Sequence, residues 1–171
     1  MGDMPEPAPE IGQATKADID GILQLQDTNH LDRGGLLSVR FSREWLEARL
    51  SDLPVIVARR GGRIVGYPIS TSLEAQASAA IVQAMLNAYA HSKDAYIYGP
   101  VCVAADERGQ GLASALFSAL LTRVPDRECF TFIRGDNAAS LRAHTKMGMR
   151  SVASLRSAMW ITSSLPTALR A

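Results

Sequence analysis

Apolar residues recur along the chain with two periods, and together they predict an alternation of strands and helices. Residues 11–14 form a short strand candidate, after which Thr15 offers a helix cap and Asp18 stands where a first-turn carboxylate favours the helix dipole. Ile19, Ile22, Leu23 and Gln26 set the inner face of that helix, and the Asp-Arg-Gly-Gly run within residues 30–35 breaks it. Ser42 caps a second helix carrying Trp45, Leu46, Arg49 and Leu50, and Pro54 stops it before the apolar strand 55–58. Arg60-Gly61-Gly62-Arg63 is a hairpin signal, because paired glycines reach the positive φ that tight hairpins need, so residues 64–70 return antiparallel. Pro68 has no N–H and demotes the second half of that strand to an edge or a bulge.

An Ala-rich helix is predicted over residues 73–89, with Val82, Met85, Leu86 and Tyr89 on one face, followed by a strand over 95–103. The clearest helical stripe is Ala113, Leu116, Phe117, Leu120, Leu121 and Val124, closed by Pro125. Residues 129–133 read as a buried strand, Asn137 or Asp136 caps a helix through Lys146, Gly148 stops it, and residues 152–161 supply closing strands. This order gives an α/β domain whose helices cover a mixed, mostly antiparallel central sheet. Residues 1–10, rich in Pro and acid, read as a flexible leader and not a signal peptide, and residues 11–171 as a single domain with a helical insertion at about 73–90.

Composition narrows the class. Eighteen basic and 17 acidic side chains nearly cancel, which leaves no global field for nucleic acid or a membrane surface, and no run approaches the length of a membrane span. Cys102 and Cys129 are the only cysteines and both sit in apolar stretches, so no disulfide framework and no metal site is expected, and a reducing cytoplasm is the natural compartment.

The chemistry concentrates in Tyr98-Gly-Pro-Val-Cys-Val-Ala-Ala-Asp-Glu-Arg-Gly-Gln-Gly-Leu-Ala113, a strand running through a glycine turn into the clear helix. A helix N-terminus presents free N–H groups and about half a positive charge, and Gly109 and Gly111 let a diphosphate approach the backbone, so phosphate is expected at residues 109–114. The turn lacks the Gly-Lys-Ser/Thr of a Walker loop and the three glycines of a dinucleotide fingerprint. Arg108-Gly-Gln-Gly111-Leu-Ala113, preceded by Val101-Cys-Val103, resembles the pyrophosphate motif and strand of the GNAT acetyltransferase superfamily. Downstream, Asn137-Ala-Ala-Ser140-Leu-Arg-Ala143-His144-Thr-Lys146-Met-Gly148-Met149 resembles that family's second segment. The resemblance covers residues 11–161.

What the resemblance implies is a sheet splayed between its fourth and fifth strands, with acetyl-CoA as cofactor and its pantetheine arm along Val101, Cys102 and Val103. Arg108, Gly109, Gln110, Gly111, Leu112, Ala113 and Ser114 would hold the pyrophosphate, and Asn137, Ser140 and His144 would complete the site. The main-chain N–H near Val101 would stabilise the oxyanion. A small-molecule or peptide amine would attack the thioester directly, making the protein an acetyl-CoA-dependent N-acetyltransferase; a noncatalytic CoA-binding module is the alternative from another class. The family often places Tyr where this chain has His144. As a general acid His144 could protonate the departing thiolate; otherwise it would hydrogen-bond the CoA sulfur or a helix carbonyl, or pack neutral beneath the cofactor.

Other residues carry paired readings. Asn137 is a cofactor partner or a helix cap, Arg108 reaches phosphate or pairs with Glu107 or Asp106, and Tyr96 and Tyr98 line an acceptor pocket or fill core. Cys102, alternating within an apolar strand with no adjacent histidine, reads as packing and not as a nucleophile. Glu74, Asp94, His30 and Asp32 are conceivable bases that read more simply as surface residues, and Lys146 as a solvated one. Acceptor choice is expected to be set by residues 29–41, the insertion and the closing strands, with specificity and a possible homodimer contact in the Arg33-Gly-Gly-Leu-Leu loop and the insertion.

Overall fold

A computed structural model describes residues 6–156 and the backbone of 159–164, so residues 1–5 of the leader, 157–158 of the closing strands and 165–171 of the expected domain lie outside the described residues. The elements in chain order are β1 (Glu10–Gln13), α1 (Ile19–Asn29), α2 (Arg43–Arg49), β2 (Ile56–Arg60), β3 (Arg63–Ser72), α3 (Ala80–Ala88), β4 (Tyr96–Val103), α4 (Leu112–Arg123), β5 (Cys129–Arg134), α5 (Ala138–Lys146), β6 (Arg150–Leu155) and β7 (Met159–Ser164). One seven-stranded sheet runs in the order β1-β2-β3-β4-β5-β7-β6. Every adjacent pair is antiparallel except β4 and β5.

Local chemistry sets the boundaries. Thr15 closes a capping box with Asp18, whose carboxylate accepts the Thr15 N–H at 2.7 Å. Ser42 Oγ accepts the Trp45 N–H at 3.2 Å to start α2. Gly61 and Gly62 hold φ of 56° and 78°, the two positive values a two-residue hairpin needs, and Arg60 pairs with Arg63 across it.

The helix predicted over 73–89 is shorter than expected. Its first part is a 3-10 turn, Glu74–Gln76, and α3 begins only at Ala80. Residues 74–79 carry no large apolar side chain, and Gln76 Nε2 donates to Thr71 Oγ1 at 2.6 Å, so nothing packs a longer helix onto the sheet. From Ala80 onward Val82 and Met85 bury against Ala95, Ile97 and Phe130 in a core cluster of their own.

The larger core cluster fills both faces of β2, β3 and β4. Gly66 lies beneath α4, where an added Cβ would stand 3.0 Å from Leu116 and 3.3 Å from Leu112. On the opposite face the Cys102 thiol lies 3.9 Å from the Leu25 carbonyl of α1. Leu116 and Phe117 are 0% and 2% exposed, and burying each such side chain contributes about 1.5–3 kcal/mol.

Two features of β3 and β4 create the site. Val103 stands opposite Gly66 while the Ala104 N–H donates to the Val65 carbonyl at 2.8 Å, which makes Val103–Gly66 a non-hydrogen-bonded pair. Two residues on, Pro68–Val101 is another, so the missing N–H of Pro68 costs the β3–β4 ladder nothing. The registered pairs of β2 with β3 among the described residues end at Gly66, so Pro68 has no such partner on its other side, and opposite it β4 bulges between Tyr98 and Val101, in keeping with the expected edge or bulge. Gly99, at φ 110°, makes that bulge beside β5, with its Cβ position 3.2 Å from Thr131 Oγ1. β4 and β5 pair at Tyr96–Cys129 and Ile97–Phe130 only among the described residues, so the expected splay is present.

Candidate active site

From the end of β4 the chain makes a 3-10 turn, Ala105–Glu107, and enters α4 through Gly109 and Gly111 at φ 75° and 79°. A Cβ added at either glycine would meet no atom within 4 Å among the described residues, so the turn is an open cradle on that side. Gly111 is the N-cap of α4, and no side chain caps it among the described residues. The first helical bond runs from the Ala115 N–H to the Gly111 carbonyl at 3.1 Å, which leaves the N–H groups of Leu112, Ala113 and Ser114 without a helical acceptor. Gln110 folds back, its Nε2 donating to the Asp106 carbonyl at 3.2 Å.

The cradle is braced by pairs that the local sequence does not reveal. Glu107 is 4% exposed and accepts two hydrogen bonds from the Arg60 guanidinium, at 2.5 and 3.0 Å. Asp106 accepts from Arg63 at 2.6 Å, and this pairing holds its carboxyl below the usual range. Both partners lie at the β2–β3 hairpin, so of the two readings of Arg108 the structure does not show the alternative, a pair with Glu107 or Asp106. Arg108 turns elsewhere: its Nε donates to the Val103 carbonyl at 3.2 Å and its Nη2 to Asn29 Oδ1.

Beside the cradle, Val101 and Val103 point their N–H and C=O groups away from β3 and into the splay. Cys102 does not share that orientation. Its amide faces β3, its thiol faces α1, and burial pushes the thiol up to about 11, which leaves no reactive thiolate at neutral pH. Of the three strand residues expected at the cofactor, two are presented to the splay.

Asn137 caps α5 through Oδ1, which accepts the Ser140 N–H at 3.0 Å. Ser140 in turn fixes His144, whose Nδ1 lies 2.7 Å from the Ser140 carbonyl and 3.3 Å from its hydroxyl. A carbonyl can only accept, so Nδ1 carries the proton and Nε2 a lone pair. His144 is 6% exposed, and Nε2 is buried with no hydrogen-bond partner among the described residues. Burial lowers its pKa from the ordinary 6.5, partly opposed by the bond to Ser140, so the ring is neutral at pH 7. It rests edge-on against Tyr98 at 6.0 Å, and Tyr98 packs on Phe117 at 4.8 Å. Tyr96 and Tyr98 are both 0% exposed, which places them in the core.

The other conceivable bases are dispersed. Glu74 and Asp94 are exposed, and Asp32 is an exposed partner of Arg40. His30 Nδ1 accepts the Asp32 N–H at 3.3 Å in the loop after α1. Lys146 is exposed on α5.

The geometry therefore combines an open glycine cradle at a helix start, a splay faced by the N–H groups of Val101 and Val103, and a buried imidazole lone pair. A model of the acetyltransferase (GNAT) family matches residues 20–149, which spans both motif segments and the splay. The chain belongs to the acetyltransferase (GNAT) family. No curated protein matches it significantly in sequence. Among solved structures it is similar to Ard1 of Thermoplasma volcanium, with 18% identity, TM-score 0.69, and coverage of 94% of this chain and 99% of that one. It is similar to the ribosomal-protein-S18-alanine N-acetyltransferase of Escherichia coli, with 14% identity, TM-score 0.65 and coverage of 92% and 93%. A putative acetyltransferase of Salmonella typhimurium with its cofactor acetyl-CoA gives 20% identity, TM-score 0.66 and coverage of 93% and 94%. At these identities the likeness establishes the GNAT fold. No helix among the described residues is long and apolar enough to cross a membrane.

Proposed function

We propose that this GNAT protein is an N-acetyltransferase that uses acetyl-CoA to acylate a primary amine, small or peptidic, in a ternary complex. The observation that carries the reading is the juxtaposition of the open Gly109–Gly111 cradle with the splay-facing amides of Val101 and Val103. Acetyl-CoA bound there supplies an activated acetyl thioester. The N–H groups of Gly109 through Ser114 would hold its pyrophosphate, and Val101 and Val103 would hydrogen-bond its pantetheine arm. The Val101 N–H is also the donor suited to negative charge on the thioester oxygen. Two structural neighbours, one a ribosomal-protein-alanine acetyltransferase and one containing acetyl-CoA, are in keeping with this cofactor and with an amine acceptor.

His144 enters as a proton carrier. Its neutral ring has no proton at Nε2 to give, so it acts first as an acceptor for the proton that an amine loses on acylation. It then returns that proton to the sulfur, which balances the transfer without a second base. Asn137 acts through Ser140, whose carbonyl holds the imidazole in the required tautomer. We further assign residues 11–171 to one catalytic domain, with α3 and its preceding turn as an insertion, in a reducing cytoplasm that suits two buried cysteines.

Release of free CoA from acetyl-CoA, followed against a panel of primary amines and N-terminal peptides, tests the reading. At least one acceptor is expected to accelerate release about 100-fold or more over buffer, in line with the contribution of positioned proton transfer. Tight acetyl-CoA binding with no acceptor in a broad panel would support the binding module instead.

A further inference from the structure

We infer that Arg108 is a positioning residue that ties the loop after α1 to the cofactor turn, and not a phosphate ligand. The inference rests on the proposed function for the names of the two sites it joins. The Arg108 fork is committed in two directions, with Nε on the Val103 carbonyl at 3.2 Å, at the edge facing the splay, and Nη2 on Asn29 Oδ1. Asn29 is 7% exposed and its other amide atom is spent, since Nδ2 donates to the Leu25 carbonyl at 2.9 Å. A phosphate that drew the guanidinium away would leave the buried Oδ1 without this donor, a costly vacancy for a desolvated carbonyl.

Asn29 is also the hub of the loop. Its backbone carbonyl accepts the Leu37 N–H at 3.0 Å, the Leu31 N–H donates to the Leu37 carbonyl at 3.0 Å, and the Gly35 N–H donates to the His30 carbonyl at 3.0 Å. A Cβ at position 35 would lie 1.8 Å from the Asn29 carbonyl oxygen, so the loop folds directly onto that residue. Outward, the same loop exposes Leu31, Leu36 and Val39, at 44%, 71% and 38%. The Arg108 side chain, on the residue that precedes the cradle, thus connects the last residue of β4 with the anchor of an apolar, solvent-facing loop.

Lysine at 108 keeps the charge but carries all its donors on one nitrogen, which does not reproduce the separate positions of Nε and Nη2, so the geometry of the tie is lost. This separates the tie from a phosphate role. Hydrogen exchange is read at the Leu31, Gly35 and Leu37 amides without ligand in the wild type, Arg108→Lys and Arg108→Ala, and acetyl-CoA affinity is then titrated in each. Exchange at those amides is expected to rise about tenfold or more in both variants, with acetyl-CoA Kd changed by less than about threefold. Unaltered exchange, or acetyl-CoA affinity lost in Arg108→Ala and recovered in Arg108→Lys, overturns the inference. Because the exchange arm needs no cofactor, a wild type that failed to bind acetyl-CoA would defeat the proposed function and still leave the tie decided.

Discussion

Glu107→Ala is expected to lower the thermal unfolding midpoint by roughly 5–10 °C, the scale set by breaking one partner of a buried ion pair in a domain of this size. Glu107 is 4% exposed and meets Arg60 through both oxygens, at 2.5 and 3.0 Å. Truncation leaves the Arg60 guanidinium, 13% exposed, without its bidentate acceptor. Glu107→Gln keeps the shape and one acceptor oxygen and should lose less. The pair joins the β2–β3 hairpin to the turn that precedes Gly109, so acetyl-CoA binding should weaken alongside stability. Scanning calorimetry with and without acetyl-CoA reads both effects. A midpoint unchanged within about 1 °C would mean that the pair contributes nothing net, as exposed pairs often do.

His144→Gln is expected to reduce kcat about 100-fold while leaving acetyl-CoA affinity nearly unchanged, because it removes a proton carrier and not a cofactor anchor. The pH behaviour distinguishes this role from that of an acid charged from solvent. A carrier loaded by the amine is active while neutral, so the rate should not fall between pH 7 and 8.5; an imidazolium acid would lose activity as the pH rises. Stability carries the same signature with a definite sign. His144 has a folded pKa below the ordinary 6.5, so below about pH 6.5 the unfolded chain binds a proton that the folded chain resists. Stability from this group is therefore fully present above that pH and falls as the pH drops toward the folded pKa. Urea unfolding at pH 7.5 and 5.5 should show a smaller loss in His144→Gln than in the wild type. An equal loss in both would remove His144 from the account of acid sensitivity.

Much of this arrangement was legible in the sequence because its signals are local. Paired glycines, a Ser or Asn cap, a glycine turn opening an apolar helix and a Gly after the last helix each act within a few residues, and each appears where expected. The splay followed from the family resemblance. What stayed hidden depends on residues distant in sequence. Arg60 and Glu107, or Asn29 and Arg108, come together only when the hairpin and α1 close on the end of β4, and no periodicity encodes that meeting. Leu25 was missed on the buried face of α1, although it falls at helical spacing from Ile22. The over-long helix at 73–89 shows the opposite failure: alanine propensity suggested a helix where residues 74–79 offered the sheet nothing to bury. The direction of His144 also lay beyond the sequence, since a histidine becomes an acceptor only through the carbonyl that claims its other nitrogen.

The most direct test of the central claim is a calorimetric titration of acetyl-CoA into the wild type and Gly111→Glu, with ATP as the control ligand. At φ 79° a glutamate is strained, and it sets a carboxylate at the helix start where the pyrophosphate is expected. The account predicts saturable acetyl-CoA binding in the wild type, a Kd about 100-fold weaker or undetectable binding in a folded Gly111→Glu, and ATP at least tenfold weaker than acetyl-CoA for want of a pantetheine arm along Val101 and Val103. Absence of acetyl-CoA binding in the wild type, or equal binding in the variant, would contradict it.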